Sequence, residues 1–247
     1  MYNLSMGVLY LVATPIGNLD DITIRAIKTL FTVDFIACED TRKTGQLMEL
    51  IRKSLKNNDL VIKNLDVDNK PVLIPYYDEI EFKKLPEIIG QMEEGKSVAL
   101  VSNAGTPLIA DPGYKLILEC FRRSIKVISI PGPSSVICAL NSAGVTTNQF
   151  LFLGFLPSVK SKRIAILKEL YSVFKNTLKI KPTVIYFESP HRIVESLSDL
   201  MDVYGDIEIS LVRELTKIHE EVIKAKISKI KNNSSIIKGE IVVLFTS

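Results

Sequence analysis

Histidine and cysteine are scarce in this chain. Its 247 residues hold two histidines, His191 and His219, which excludes a histidine-rich metal centre. The three cysteines, Cys38, Cys120 and Cys138, stand far apart in apolar segments. They have neither metal-ligand spacing nor the even number of a disulfide framework, and they read as free thiols of a reducing cytoplasm. No apolar run approaches the length of a membrane-spanning helix. The run from Gly7 to Ala13 has no basic flank before it and ends in Thr14-Pro15, so it reads as a first strand and not as a signal peptide. Also missing are a GxGxxG turn after that strand, a GxxxxGK[ST] loop, a GxSxG elbow and an HExxH helix. The usual dinucleotide, phosphate-loop, serine-hydrolase and zinc-protease readings lose their support with them.

What remains is a globular composition, 47% hydrophobic and 24% charged, in a chain long enough for one large or two ordinary domains. The net charge of +3 hides an asymmetry. Residues 1–124 carry 15 Lys/Arg and 17 Asp/Glu, whereas residues 125–247 carry 16 and 11. The excess concentrates at 160–181, where Lys160, Lys162, Arg163, Lys168, Lys175, Lys179 and Lys181 face only Glu169. Such a segment suits a polyanion, or is a solvated lysine-rich surface.

Short branched apolar runs at Val8–Ala13, Val33–Cys38, Val72–Ile74, Ser97–Val101 and Lys126–Ile130 alternate with helical periodicities. Strand–helix alternation predicts a mostly parallel sheet covered by helices on both faces. Asp20 or Asp21 is a candidate cap for the first helix. The second half reads as a smaller α/β domain with a mixed sheet, with strands near 150–155, 183–187, 208–213 and 240–245. Helices are expected near 161–174, 192–203 and 223–230. The expected domains are 1–124 and 125–247, with the change of character between 122 and 150.

The polar residues gather behind strands. In a parallel sheet the loops at 14–21, 39–44, 102–113 and 131–135 share the carboxyl edge, where such sheets hold ligands. Glu39-Asp40-Thr41-Arg42 is a polar knot after the second strand, either orienting a substrate or capping a helix. Ser189-Pro190-His191-Arg192 pairs a titratable ring with a phosphate-binding cation. Arg213-Glu214-Leu215-Thr216-Lys217 follows another strand and is either functional or a structural ion pair. Tyr76, Tyr77 and Phe155 are candidates for stacking on a base.

In order and spacing, these fragments resemble the ribosomal RNA small subunit methyltransferase I family of the tetrapyrrole methylase superfamily. The resemblance begins with Leu9-Tyr10-Leu11-Val12-Ala13-Thr14-Pro15-Ile16-Gly17-Asn18-Leu19 and Ala37-Cys38-Glu39-Asp40-Thr41-Arg42-Lys43-Thr44. It continues with Asn103-Ala104-Gly105-Thr106-Pro107-Leu108-Ile109-Ala110-Asp111-Pro112-Gly113, Pro131-Gly132-Pro133-Ser134 and Gly154-Phe155-Leu156-Pro157. It closes with Tyr186-Phe187-Glu188-Ser189-Pro190-His191-Arg192, Arg213-Glu214-Leu215-Thr216-Lys217 and Lys238-Gly239-Glu240.

The resemblance implies 2′-O-methylation of a cytidine ribose in the decoding region of 16S ribosomal RNA. It further implies S-adenosylmethionine as cofactor, held in a cleft between two α/β domains, and a cytoplasmic homodimer acting on the small ribosomal subunit, with no metal and no membrane. Carried across, Pro15, Gly17, Asn103, Ala104, Gly105, Thr106, Pro107, Pro131, Gly132 and Pro133 are the cofactor-side residues. Glu39, Asp40 and His191 are candidate proton acceptors. Arg42, Lys162, Arg163, Arg192 and Lys217 are candidates for RNA phosphates. The chain departs from the family pattern in two places. Asn103 stands where Asp is usual, and Tyr77-Asp78-Glu79-Ile80 stands where the family carries histidines. Two other readings fit these departures or the fold: a methyltransferase for a tetrapyrrole-like small molecule, and a non-catalytic RNA- or ribosome-binding protein.

Overall fold

A computed structural model describes residues 6–57, 62–63, 65–176, 181–232 and 238–246. The chain forms two compact units, Met1–Ser134 and Ser135–Ser247. The first runs β1 (Val8–Val12), a 3-10 turn (Leu19–Asp21), α1 (Ile24–Leu30), β2 (Phe35–Cys38), α2 (Thr41–Lys56), β3 (Val72–Pro75), α3 (Glu81–Glu93), β4 (Val98–Val101), α4 (Tyr114–Arg122) and β5 (Lys126–Ile130). The sheet order is β3-β2-β4-β1-β5, and every pairing is parallel.

Why the strands read as unbroken apolar runs is clear at β4. All four of its residues are buried, because helices cover both faces of the sheet. Ala99 and Val101 join Val12, Ile36 and Ile130 under α1 and α2. Val98 and Leu100 point the other way, to Leu9 and Ile74 under α3 and α4. β5 pairs with β1 over five register positions and so lies in the first unit, whereas the expected division after residue 124 assigned it to the second.

The helix caps differ from expectation. Thr23, not Asp20 or Asp21, caps α1, with its Oγ1 accepting from the Ala26 N–H at 3.1 Å. Asn18 instead caps the 3-10 turn that holds both aspartates. Helix α2 starts three residues before the expected Thr44 because Asp40 caps it, accepting from the Arg42 N–H at 2.9 Å.

The second unit runs α5 (Ser135–Ser142), β6 (Phe150–Phe155), α6 (Lys160–Asn176), β7 (Thr183–Glu188), α7 (Ile193–Tyr204), β8 (Glu208–Arg213), β9 (Glu221–Lys226), α8 (Ile227–Lys231) and β10 (Ile241–Thr246). Its sheet is mixed, in the order β6-β7-β10-β8-β9, with only β6 and β7 parallel. The helix expected over 223–230 is instead the second half of strand β9 followed by one short helical turn. Val222, Lys224 and Lys226 alternate outward with Ile223 and Ala225, which pack on the core. That period of two matches a sheet edge and not a helix. The register pairs Phe155 with Phe187, and Ile241 with both Glu188 and Arg213. The carboxyl ends of β6, β7 and β8 and the start of β10 therefore meet at one edge of this second sheet.

The tightest backbone approach is at Gly7, whose N–H donates to the Met92 carbonyl at 2.7 Å. A Cβ there would lie 1.7 Å from the Lys96 carbonyl oxygen, so backbone would have to move. Gly7→Ala is expected to lower the thermal midpoint by roughly 4–8 °C, corresponding to about 2 kcal/mol of overpacking, measured by calorimetry.

Candidate functional site

Three loops at the carboxyl edge of the first sheet are stitched to one another. Thr14 and Gly105 exchange backbone hydrogen bonds, N–H to carbonyl, at 2.9 and 3.0 Å. The exchange needs Gly105 at φ +78°, a conformation that side chains disfavour. Thr106 Oγ1 donates to the Pro133 carbonyl at 3.0 Å, and Thr23 Oγ1 to the Pro131 carbonyl at 3.5 Å. Beyond Gly105 the same loop holds two further left-handed residues, Leu108 (φ 72°) and Ala110 (φ 66°). Non-glycine residues held this way concentrate at functional sites.

All ten expected cofactor-side residues lie in the first unit on these three loops. Gly17, Ala104, Pro131 and Gly132 are exposed, Pro15, Asn103, Thr106 and Pro133 are half-buried, and Gly105 and Pro107 are buried. Asn103 is the informative one. Its N–H donates to Glu39 Oε2 at 3.4 Å, across the neighbouring ends of β4 and β2. Its side-chain Oδ1 is buried and has no hydrogen-bond partner. A buried acceptor left open in this way is where a ligand's N–H or O–H belongs.

The carboxylates divide sharply. Asp40 is spent on structure: besides capping α2 it accepts from Arg42 Nε at 3.1 Å and Nη2 at 2.8 Å. The Arg42 side chain and N–H hold its carboxyl down at about 2. That makes Asp40 a poor base, and it occupies Arg42, whose side chain is otherwise open to solvent. Asp111 is the opposite case. It is pushed up to about 6, chiefly by burial and then by the Glu39 and Asp78 charges, against a hydrogen bond from Ser102. The sequence places Asp111 in the 102–113 loop at the ligand-holding edge but gives it no role of its own. The one available signal was an aspartate in a loop behind a fully apolar strand. Tyr76 is buried with its hydroxyl donating to Glu81 Oε1 at 3.0 Å, so it is not a stacking platform, whereas Tyr77 and Phe155 are exposed.

The second unit's edge collects the remaining expected residues. His191 is exposed. Arg192 is anchored, with Nη2 2.7 Å from Glu188 Oε1 and Nη1 donating to the Leu156 carbonyl at 3.3 Å. Lys217 bridges Glu214 at 3.0 Å and Glu240 at 3.2 Å. Lys160 and Lys162, on the first turn of α6, stand out in solvent, as do Lys168, Lys175 and Lys181, while Lys179 lies outside the described residues.

Arg163 corrects an expectation. It is completely buried, paired with Asp199 at 2.5 Å and Glu195 at 2.8 Å, and it donates to the Pro157 and Ser158 carbonyls at 3.1 Å each. A guanidinium with its donors consumed inside the unit has none left for a phosphate. The same unit has a cavity of about 340 Å³ lined by Gly144, Thr146, Glu208, Ser210, Lys224 and Thr246. It lies at the opposite end of the sheet, and none of the expected residues lines it.

Residues 8–231 match the family described as Tetrapyrrole (Corrin/Porphyrin) Methylases. The chain is 41% identical over 224 residues to the Ribosomal RNA small subunit methyltransferase I of Thermotoga maritima, covering 91% of this chain and 90% of that protein. It is 38% identical to the protein of the same name from Escherichia coli O157:H7, covering 97% of this chain and 78% of that one. In fold it is similar to the crystal structure of uroporphyrin-III C-methyl transferase from Thermus thermophilus complexed with S-adenyl homocysteine. That likeness has a TM-score of 0.59 at 16% identity, over 96% of this chain and 97% of the other.

Asp111 supplies a test of the site's electrostatics. Its folded pKa lies above the unfolded value, so its contribution to stability is fully present below about pH 4 and is lost as pH rises through about 6. Asp111→Asn is expected to raise the thermal midpoint at pH 8 by roughly 2–4 °C after discounting for solvent screening. At pH 4 the two proteins should melt together.

Proposed function

Because the chain belongs to the ribosomal RNA small subunit methyltransferase I family of the tetrapyrrole methylases, we propose that it methylates the ribose 2′-hydroxyl of a cytidine in the decoding region of 16S ribosomal RNA, using S-adenosylmethionine. It acts on the small ribosomal subunit in the cytoplasm, as a homodimer. The observation that carries the reading is the stitched edge of the first unit, with the open Asn103 acceptor among loops that match the family's cofactor side.

The residues present fit that cofactor. Asn103 Oδ1 is an acceptor in search of a donor, and S-adenosylmethionine offers an ammonium, ribose hydroxyls and an adenine amino group. Gly17, Ala104, Pro131 and Gly132 leave their backbone accessible to it. When bound, the cofactor supplies an activated methyl group on sulfur. The chain's own task is to align a hydroxyl with that group and to exclude other orientations.

It must also take the hydroxyl's proton. Glu39 and Asp111 are the carboxylates this edge offers for the purpose, and an Asp111 that ionises near pH 6 is a usable base at neutral pH. Asp40 is set aside by its pairing with Arg42. His191, exposed on the second unit's edge, stays a further candidate acceptor, and the exposed Lys162 is the cation left open for RNA there, since Arg192 is tied to Glu188 and Lys217 to Glu214 and Glu240. The amide at Asn103 keeps the acceptor that the family's aspartate would provide and gives up its charge.

The first test incubates the protein with methyl-labelled S-adenosylmethionine and unmodified small subunits. Nucleoside mass spectrometry should then find label on one cytidine 2′-oxygen of the decoding region. Absence of label from a protein that binds the cofactor by calorimetry would reject the assignment. Asn103→Ala should weaken cofactor binding about tenfold, the worth of one buried hydrogen bond, and leave RNA affinity unchanged. Lys162→Ala should reduce the slope of log affinity for RNA against log salt by about 0.7–0.9.

A further inference from the structure

Helix α4 is apolar on two sides. Counted from Tyr114 at about 100° per residue, Leu116 and Cys120 fall near 200° and 240°, and both are buried against the sheet. Tyr114, Leu118 and Phe121 recur at the i, i+4, i+7 spacing and fall within about 40° of Tyr114. They turn away from the core and are 68%, 37% and 63% exposed. One apolar stripe is what a helix needs to pack on its own sheet, and this helix carries a second. Phe82, on the first turn of α3 and 73% exposed, extends the patch, with the Lys115 ammonium 3.8 Å from its ring centre. The charged residues of α4 and its cap keep to one flank. Lys115, Glu119, Arg122 and Arg123 all fall between about 80° and 180°. Lys115 pairs with Glu81 at 2.9 Å, Arg123 with Glu93 and with Glu119 at 2.6 Å each, and Arg122 with Glu119 at 3.4 Å.

These features say what covers the outer stripe. A polyanion or an anionic lipid surface needs unpaired cations beside it, and each cation of α4 and its cap already faces a carboxylate. The stripe is also close to a palindrome: an aromatic ring, a leucine and an aromatic ring, spread over about 10 Å of helix. A two-fold axis near Leu118 sets Tyr114 of one copy against Phe121 of the other, Phe121 against Tyr114, and Leu118 against itself. No charged residue stands on that contact line, so the stripe is complementary to itself, as a two-fold interface requires. The area agrees. Three aromatic side chains, each about two-thirds exposed, offer roughly 400 Å². A standard interface buries about 800 Å² on each partner, somewhat over half of it apolar, or roughly 450–500 Å². With Leu118 added, the patch supplies the apolar share of one side of such a dimer.

We propose that the outer face of α4, built on Tyr114, Leu118 and Phe121 and extended by Phe82, is the surface on which a second copy of this chain docks, helix antiparallel to helix across a two-fold axis. The inference rests on the homodimer reading above and deepens it by assigning the surface.

Sedimentation equilibrium of the full chain tests it, apart from methyl transfer. Wild type at micromolar concentration should have twice the chain mass of 27.6 kDa. Leu118→Glu and Leu118→Lys should each raise the dimer dissociation constant at least a hundredfold, because each sets like charges against each other near the axis. Mixed in equal amounts, the two variants should associate again, as opposite charges then meet. Phe121→Ser, at a position too exposed to matter to the fold of one copy, should raise the constant roughly tenfold. Unchanged circular dichroism shows that each variant is folded. A dimer as tight in Leu118→Glu and Phe121→Ser as in wild type would overturn the proposal and leave the homodimer reading standing on another face. Failure of the mixed charge variants to associate would overturn the two-fold arrangement. A monomeric wild type would overturn both the surface and the homodimer reading. If such a monomer bound intact small subunits and Phe121→Ser did not, the face would belong to a ribosomal protein. Methyl transfer enters none of these measurements, so its absence in the labelling experiment would leave this inference untouched.

Discussion

The paired backbone hydrogen bonds between Thr14 and Gly105 are the constraint on which the first unit's site depends. They close the ends of β1 and β4, adjacent parallel strands, so that the two following loops leave the sheet as one layer. Thr106 then reaches the loop after β5, and the Asn103 N–H reaches the end of β2. Four strands thereby share one rim. None of this requires an unusual side chain; it requires that every strand point the same way, so that every loop of interest emerges on the same side.

Within that rim, environment and not residue type assigns the chemistry. Asp40 and Asp111 are both aspartates on loops behind strands. One sits beside a guanidinium and a helix N–H and is held at about 2. The other is sunk among further carboxylates and rises to about 6. The difference separates a structural cap from a group able to move a proton at neutral pH.

The second unit divides its positive charge in the same fashion. Lys162 and Arg163 are neighbours, yet one helix step of about 100° sends the first to solvent and the second into the interior. There Arg163 fastens α6 to α7 through Asp199 and Glu195 and holds the chain at Pro157 and Ser158. Removing one partner of such a buried set typically costs about 3–5 kcal/mol, which makes it a structural pin. The exposed lysines around it are what a polyanion would meet.

Much of this was legible in the residues. The apolar runs marked nine of the ten strands among the described residues, because burial on both faces or on alternate positions leaves a one-dimensional trace. The Gly/Pro-rich loops behind them marked the rim, because parallel strands leave no other place for such loops. The order of the motifs marked the family. What the residues could not display was any quantity that depends on distance between parts remote in sequence. The fate of Arg163 turns on Asp199, 36 positions away, and the ionisation of Asp111 on its burial and then on Glu39, 72 positions earlier. The open acceptor of Asn103 is likewise an absence, defined only once neighbours are in place. Local pattern, set by periodicity and turn chemistry, belonged to the sequence alone. Burial and electrostatic coupling act through space, and only the tertiary structure could decide them.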